Sequence, residues 1–235
     1  MVYGVILAGG VGNRYGNVEK PKQFLMLGKK PIIIHTIEKF LMNEKFEKII
    51  VLCPEQWVTH TENLVHKYLG DNDRVVVIEG GSTRNETIMN AIRYIDKIDE
   101  VVDETIIVTH DAVRPFVTHR ILEENIEMAK KYGACDTVVP ATDTIVRSDD
   151  NTVITEIPDR SKLYQGQTPQ SFNAKRLRDL YESLSNEEKE ILTDAAKIFA
   201  LRGDQVYLVN GEVYNIKITY PYDLKVAETL LMGCE

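Results

Sequence analysis

The chain has 235 residues, of which 43% are hydrophobic and 27% are charged, a composition typical of a globular protein and not of a disordered one. This length can bury one sizeable α/β core without disulfides or a structural metal, so we expect a single domain over residues 1–235. The formal net charge of −8 argues against a nucleic-acid partner, because nucleic-acid-binding proteins present a basic surface.

The cysteines and the start of the chain indicate the type of compartment. Cys53, Cys135 and Cys234 are far apart and form no metal-binding pattern, so we expect buried reduced thiols. The apolar residues 2–8 have no basic lead-in and run into glycines, which is too short for a signal peptide or a membrane span. We therefore expect a cytoplasmic protein with no membrane partner.

Short β-rich runs alternate with amphipathic stretches from the start of the chain. The runs that predict strands are residues 3–7, 48–53, 74–78 and 105–109. An alternating order of this kind is typical of a mostly parallel sheet flanked by helices. The expected fold class is therefore α/β and Rossmann-like.

Helix starts are predicted by local signals along the chain. These signals are Pro31, Pro54, Thr118 and the capping boxes Thr83-x-x-Glu86 and Ser185-x-x-Glu188. A capping box satisfies free backbone N–H groups at a helix start, and proline fits the first turn because it has no N–H to lose.

The alternation changes between residues 136 and 170. Extended pieces are expected at residues 137–139, 144–147 and 153–157, and Asp149-Asp150-Asn151 predicts a turn between the last two. We interpret residues 136–170 as a β-hairpin arm that projects from the sheet. Since so thin an arm cannot bury Val138, Ile145 and Ile154 against itself, we expect it to pack on a second subunit in a homodimer.

The strongest candidate site is a glycine-rich loop directly after the first strand. It reads Leu7-Ala8-Gly9-Gly10-Val11-Gly12-Asn13-Arg14-Tyr15-Gly16. Glycines let backbone N–H groups approach a polyphosphate closely, and the spacing matches neither the dinucleotide fingerprint nor the Walker motif. A tight turn would explain the glycines alone. Arg14 in the loop and Lys22 after it favour a phosphate site for in-line displacement at phosphorus.

A second candidate is Gly80-Gly81-Ser82-Thr83-Arg84-Asn85-Glu86-Thr87, where a strand runs into a helix. Small polar residues with exposed amides are suited to reading the edge of a base. A plain capped helix with Arg84 in solvent is the alternative at this point.

A third candidate is His110-Asp111-Ala112-Val113-Arg114-Pro115, which follows an apolar strand. Asp111 at the strand tip is placed to meet a ribose hydroxyl or a Mg²⁺-bound water. For His110, a structural role is favoured over that of a general base. Local sequence alone interprets Arg160 and Lys217 as surface charges, and no pattern supports a covalent nucleophile.

Together these segments resemble one family over essentially the whole chain. The resemblance also includes Pro21-Lys22-Gln23-Phe24, Gln167-Thr168-Pro169-Gln170 and Asn215-Ile216-Lys217-Ile218-Thr219. This family is the cytidylyltransferase family that includes the enzymes acting on 2-C-methyl-D-erythritol 4-phosphate and on D-ribitol 5-phosphate.

The resemblance implies a role for each candidate residue. Arg14 and Lys22 would stabilise the transition state. The CTP-binding residues would be Leu7, Ala8, Gly9, Gly10, Gly81, Ser82, Thr83, Arg84, Asn85, Glu86, Thr87, Asp111 and Ala112. Asp111 would also meet Mg²⁺ or another divalent cation, and Arg160, Lys217 and Thr168 would position the acceptor.

Residues 163–172 and 191–198 look more like the ribitol-phosphate branch, although Ala196 stands where that branch often has cysteine. The expected reaction is therefore transfer of a cytidylyl group from CTP to D-ribitol 5-phosphate, which gives CDP-ribitol for a wall or surface polymer. Two alternatives remain: methylerythritol phosphate as the acceptor, and a nucleotide-binding scaffold without turnover.

Overall fold

The computed structural model describes residues 1–10 and 20–233. Its main sheet contains β1 Val2–Leu7, β4 Lys48–Cys53, β5 Val75–Glu79, β6 Ile106–Asp111, β7 Ala134–Pro140, β8 Tyr164–Asn173 and β9 Tyr207–Asn210. Two short strands, β2 Met26–Leu27 and β3 Lys30–Pro31, pair separately. The predicted strands agree with β1, β4, β5 and β6 to within two residues at each end.

The strand order across the sheet is β5-β4-β1-β6-β8-β7-β9. Strands β5, β4, β1 and β6 run parallel, β8 is antiparallel to both β6 and β7, and β9 is parallel to β7. The expected fold class, a mostly parallel Rossmann-like α/β sheet, is confirmed.

Helices cover both faces of this sheet. They are α1 Ile32–Leu41, α2 Val58–Leu69, α3 Arg84–Ile98, α4 His119–Tyr132, α5 Ala174–Glu182, α6 Asn186–Glu190, α7 Ala196–Leu201 and α8 Pro221–Met232. Both predicted capping boxes are present, at α3 and α6, and Thr118 caps α4. Pro31 precedes α1, whereas Pro54 precedes a 3₁₀ turn, Glu55–Trp57, that leads into α2.

The core lies in two layers, one on each side of the sheet. Ile6 and Val51 pack against α1, α2 and α4, while Val5 and Ile50 pack against α3 and its neighbours. Alternate residues of one strand therefore face different helices. This explains why these strands are apolar runs and not alternating patterns.

The direction of the strands brings the candidate segments to one edge. The carboxyl ends of β1, β5 and β6 meet there because the strands are parallel, and β8 begins there because it runs the other way. Open α/β sheets bind their ligands at this edge.

The arm is shorter than predicted. Residues 136–140 and 164–170 belong to β7 and β8, so the exposed arm spans residues 141–163. The predicted strands 144–147 and 153–157 are joined by one isolated bridge, Arg147 to Glu156. The prediction that Val138 needs a second subunit is wrong, since β7 is paired on both sides and Val138 is buried. Ile145 and Ile154 are 38% and 56% exposed.

Cys53 and Cys135 are buried free thiols, as predicted. Cys234 lies outside the described residues. Within the described part of the chain, every helix is too short or too polar to cross a membrane.

Candidate active site

A cavity of about 420 Å³ opens at the carboxyl edge of the parallel strands. Its lining consists of Leu7, Ala8, Gly9, Gly10, Lys22, Gln23, Gly81, Ser82, Thr83, Arg84, Thr87, Asp111, Ala112, Val113 and Lys217. All three candidate segments and the C-terminal Lys217 thus meet at one place. Arg14 lies outside the described residues.

The loop after β1 forms one wall of the cavity. The Ala8 N–H continues the strand pattern by donating to the Leu52 carbonyl at 2.8 Å. Gly9 and Gly10 follow with exposed backbone, and a Cβ on either would meet nothing within 4 Å. The space beside their α-carbons is therefore open, so a ligand can approach this stretch of backbone closely, as a phosphate cradle requires.

Lys22 is placed beside this loop by its neighbour in the chain. Gln23 is buried, and its Nε2 donates to the Ala8 carbonyl at 2.7 Å. Phe24 packs its ring 5.2 Å from Trp57 and 4.9 Å from His60. The 3₁₀ turn that carries Lys22 is therefore attached both to the glycine loop and to the start of α2.

The segment between β5 and α3 forms another part of the cavity wall. A Cβ on Gly81 would lie 2.5 Å from the Glu86 Cβ, so only glycine permits this close turn. The Thr87 hydroxyl accepts from the Gly81 N–H at 3.0 Å and donates to the Thr83 carbonyl at 2.8 Å. Exposed Ser82 and Thr83 are thereby held at the cavity.

Two predicted CTP-binding residues of this segment do not line the cavity. Asn85 is buried at the start of α3, and Glu86 closes the capping box by accepting from the Ser82 and Thr83 N–H groups. The cap hydrogen bonds of Glu86 thus occupy its carboxylate at the helix start.

Asp111 is the carboxylate around which the cations of the site are arranged. Its Oδ1 accepts from Arg84 Nη1 at 2.5 Å, and its Oδ2 lies 2.9 Å from Lys217 Nζ and 3.5 Å from Arg114 Nε. Burial alone would raise the pKa of Asp111. The three cations outweigh that effect and hold it well below its usual value, so the carboxylate is ionised at neutral pH. The alternative of Arg84 in solvent is therefore wrong.

His110 has a structural position, as the sequence favoured. It is fully buried against Phe40, and its Nε2 lies 3.0 Å from the Arg114 carbonyl. Since a carbonyl only accepts, Nε2 carries the proton and Nδ1 accepts from the Thr168 hydroxyl at 2.9 Å. Burial lowers the pKa of His110 to about 4, which agrees with this neutral ring.

Thr168 was expected to position the acceptor, but its hydroxyl is buried below the site. It accepts from the Asp111 N–H at 3.1 Å and donates to His110. The antiparallel insertion of β8 beside β6 brings Thr168 against Asp111. The residue holds Asp111 from behind and is absent from the described cavity lining.

Arg160 lies in the 3₁₀ turn Arg160–Lys162 of the exposed arm. Its Nη1 donates to the Thr142 carbonyl at 2.7 Å, across the base of the arm. Within one chain, Arg160 is therefore not part of the described cavity lining, whereas Lys217 is.

The chemistry of the lining fits a divalent cation that arrives with a triphosphate. Among the described residues there is no cluster of three or more His, Cys, Asp or Glu side chains that could hold a metal. Asp111 is the single acidic residue of the described lining. Mg²⁺ is usually held by one or two carboxylates together with substrate phosphates, so one aspartate beside a phosphate cradle suits it.

Several residues of the site had no role in the sequence interpretation. Gln23, Arg114 and Asn215 are buried polar side chains that connect the segments of the site. Each stands inside a recognised motif next to a functional residue. The sequence signal that could have identified these residues was a polar side chain among apolar neighbours in the chain.

Comparison with known proteins agrees with this geometry. A model of the 2-C-methyl-D-erythritol 4-phosphate cytidylyltransferase (IspD) family matches residues 2–233. The solved 2-C-methyl-D-erythritol 4-phosphate cytidylyltransferase from Francisella tularensis is 29% identical with a TM-score of 0.80, covering 97% of this chain and 98% of that one. The enzyme from Thermus thermophilus is 25% identical with a TM-score of 0.74, covering 99% of this chain and 100% of that one.

A third structure supports the fold alone. The 4-diphosphocytidyl-2C-methyl-D-erythritol synthase from Anaerococcus prevotii is 23% identical with a TM-score of 0.80, and the match covers 98% of this chain and 96% of that one.

Proposed function

We propose, since the chain belongs to the 2-C-methyl-D-erythritol 4-phosphate cytidylyltransferase family, that it transfers the cytidylyl group of CTP to the phosphate of an acyclic polyol phosphate and releases pyrophosphate. The observation that carries this proposal is the meeting of the glycine loop, Lys22, Asp111 and Lys217 around one cavity. A phosphate cradle with cations on two sides is suited to bringing two phosphate groups together.

The two walls of the cavity suit the two ends of the nucleotide. The open amides of Gly9 and Gly10 would bind the triphosphate, and Lys22 beside them would neutralise it. Exposed Ser82 and Thr83 would read the cytosine edge across the cavity. Asp111, between the walls, would accept from the ribose hydroxyls or hold the cation.

The reaction is a single displacement at phosphorus. An oxygen of the acceptor phosphate attacks the α-phosphorus of CTP and forms the new P–O bond, while the bond to the bridging oxygen of the β-phosphate breaks and pyrophosphate leaves. Charge builds on the non-bridging oxygens of the α-phosphate, and Lys22 and Arg14 would stabilise it. Mg²⁺, held by Asp111 and the triphosphate, would supply further charge neutralisation.

No general base is required for this step. A phosphate acceptor is already an anion at neutral pH, so its attacking oxygen needs no deprotonation. His110, the nearest histidine of the motif, has both ring nitrogens engaged and is fully buried. The buried histidine is therefore consistent with chemistry driven by charge and alignment.

The acceptor phosphate would bind between Lys217 and Arg160. Lys217 lines the cavity, whereas Arg160 is on the exposed arm together with Ile145 and Ile154. An arm that packs on a second copy of the chain would bury these apolar side chains and deliver Arg160 to the partner's cavity. We therefore propose a homodimer with arm exchange.

Two acceptors are supported by different observations. The family description and the names of the solved relatives favour 2-C-methyl-D-erythritol 4-phosphate. The sequence of residues 163–172 and 191–198 favours D-ribitol 5-phosphate as the second candidate. The first molecule has a four-carbon chain with a methyl branch at C2, whereas the second has an unbranched five-carbon chain and one more hydroxyl group.

A competition assay decides between these acceptors. The protein is given CTP, Mg²⁺ and both polyol phosphates at equal concentration, and the two CDP products are quantified by mass spectrometry, which reports the ratio of the kcat/KM values. The acceptor with the larger value is the substrate. UTP in place of CTP is the nucleotide control and should give little product. CTP binding without pyrophosphate release from any polyol phosphate would refute the proposed function and favour the scaffold alternative.

A further inference from the structure

Lys217 lies on a segment that has no regular secondary structure. Residues 215–219, between β9 and α8, belong to neither a helix nor a strand. Such a segment has no ladder of repeating backbone hydrogen bonds to fix its path. The position of Lys217 must therefore come from tertiary contacts of its neighbours.

Asn215, two residues before Lys217, makes the first of these contacts. It is fully buried, and its Nδ2 donates to the Thr168 carbonyl at 2.9 Å and to Gln167 Oε1 at 3.2 Å. Its own carbonyl accepts from Arg114 Nη1 at 2.8 Å. One asparagine thus attaches the segment both to the start of β8 and to the loop after β6.

A second anchor follows Lys217 directly. The Ile218 N–H donates to the Val113 carbonyl at 3.0 Å, and the Ile218 side chain is fully buried beside Leu27 and Ile32. Lys217 is therefore held on both sides in the chain. Its side chain is 40% exposed at the cavity, with Nζ 2.9 Å from Asp111 Oδ2.

The two anchors differ in chemistry. The Ile218 side chain contributes apolar burial, which has no preferred direction, and its N–H adds one backbone hydrogen bond to Val113. Asn215 contributes directional hydrogen bonds that use both hydrogens of its amide. The residues before it, Val213 and Tyr214, are 79% and 43% exposed and add little burial. On the side of the chain before Lys217, the side-chain hydrogen bonds that direct the segment therefore come from the Asn215 amide.

We propose that Asn215 is a positioning residue for the acceptor: it fixes the backbone that presents Lys217 to the acceptor phosphate. This inference rests on the proposed function, in which Lys217 binds that phosphate. The Asn215 amide bonds to Gln167 and Thr168 and not to the segments at Gly9 and Ser82 that would bind CTP. We therefore expect Asn215 to act mainly on the acceptor, with the Lys217–Asp111 ion pair as its link to the nucleotide side.

The first test substitutes Asn215→Ala and measures acceptor KM, CTP affinity and melting temperature. We expect acceptor KM to rise about tenfold, as loss of two hydrogen bonds allows, with the Kd for CTP unchanged within about twofold. Asn125→Ala is the matched control, because Asn125 is also fully buried and its Nδ2 also donates two hydrogen bonds, but in α4. The control should lower the melting temperature without changing acceptor KM. An equal change of KM in both variants would overturn the proposal.

A double-mutant cycle separates positioning from general stability. If Asn215 acts through Lys217, Asn215→Ala should add nothing to acceptor KM in the Lys217→Ala background. Additive effects on KM would overturn the proposal. If Asn215→Ala does not fold, Asn215→Ser, whose hydroxyl is too short to reach both acceptors, takes its place.

A crystal structure of the variant provides a test without activity. We expect Lys217 Nζ to leave Asp111 Oδ2 in Asn215→Ala, and an unchanged ion pair would overturn the proposal. Wild-type protein that turns over no polyol phosphate would refute the proposed function, while this structure would still decide the role of Asn215.

Discussion

Lys217 Nζ and Asp111 Oδ2 lie 2.9 Å apart, so the cation assigned to the acceptor and the carboxylate assigned to the nucleotide share one ion pair. Arg84, at the start of α3, holds the other oxygen of the same carboxylate. Asp111 is thus the point where the two substrate sides are coupled. Removal of either cation leaves the carboxylate paired with the other one and close to Arg114.

The pH dependence of the reaction should follow the acceptor and not Asp111 or His110. The pKa of Asp111 is held well below its usual value, and that of His110 is about 4, so neither group titrates near neutrality. A phosphate monoester takes up its second proton at a pKa of about 6. We expect kcat/KM for the acceptor to fall below about pH 6 and to stay level between about pH 7 and 8. A thiophosphate acceptor, which is more acidic, should shift the fall in kcat/KM to a lower pH. If the fall stays at the same pH with this acceptor, the prediction is wrong.

Lys22→Ala should lower kcat by about 10²–10³ with the fold intact, because the proposed role of this side chain is to neutralise charge that builds in the transition state. Arg14→Ala is expected to do the same, on the basis of its place in the glycine loop. Steady-state kinetics with circular dichroism as the folding control measure both effects. A kcat near the wild-type value would remove that residue from catalysis.

Thr168→Val and Thr168→Ser form a matched pair for the support behind Asp111. Valine keeps the shape but leaves the Asp111 N–H and His110 Nδ1 without a partner, which costs about 1–3 kcal/mol for a buried group. Serine keeps the hydroxyl. We expect the valine variant to have a lower melting temperature and a lower kcat/KM than the serine variant. Equal values for the two variants would show that the hydroxyl has no such role.

Asp136 should make the folded state less stable as the pH rises. Burial raises the pKa of this carboxyl group from 3.8 to about 7, and the nearby Asp194 adds to that rise. The folded state therefore keeps a proton that the unfolded state has lost, so stability falls between about pH 4 and pH 7. Asp136→Asn removes this contribution to the pH dependence of the free energy of unfolding.

We expect the melting temperature of Asp136→Asn to exceed that of the wild type by about 3 °C or more at pH 8, and by less at pH 5. Thermal unfolding of both proteins across this pH range measures the difference. Parallel pH curves for the two proteins would show that Asp136 is ionised in the folded state already at pH 5.

The arm-exchange proposal predicts complementation between two impaired proteins. If Arg160 serves the partner's site and Lys22 its own, mixed dimers of Lys22→Ala and Arg160→Ala have one native site and one doubly changed site. Random pairing makes about half the dimers mixed, so activity after dissociation and reassociation should reach about a quarter of the wild-type value. Activity equal to the mean of the separate variants would place Arg160 in its own chain's site.

The amino-acid sequence by itself determined the features that depend on neighbours along the chain. The Thr83 and Glu86 capping box, the strand Lys48–Cys53 and the open glycines after Leu7 are all local, because cap hydrogen bonds, side-chain alternation and backbone freedom are decided within a few residues. The glycine loop after Leu7, together with Arg14 and Lys22, was sufficient to predict a phosphate site at the end of the first strand.

The tertiary structure decided which side chains meet. Strand order is set by the burial of whole faces and not by any short pattern, and β8 enters antiparallel between β6 and β7. That placement turns Thr168 from an expected substrate contact into the support of Asp111, and it buries Val138. Arg84, Lys217 and Asp111 come from separate segments, so their ion pairs exist only where the edge of the sheet brings those segments together.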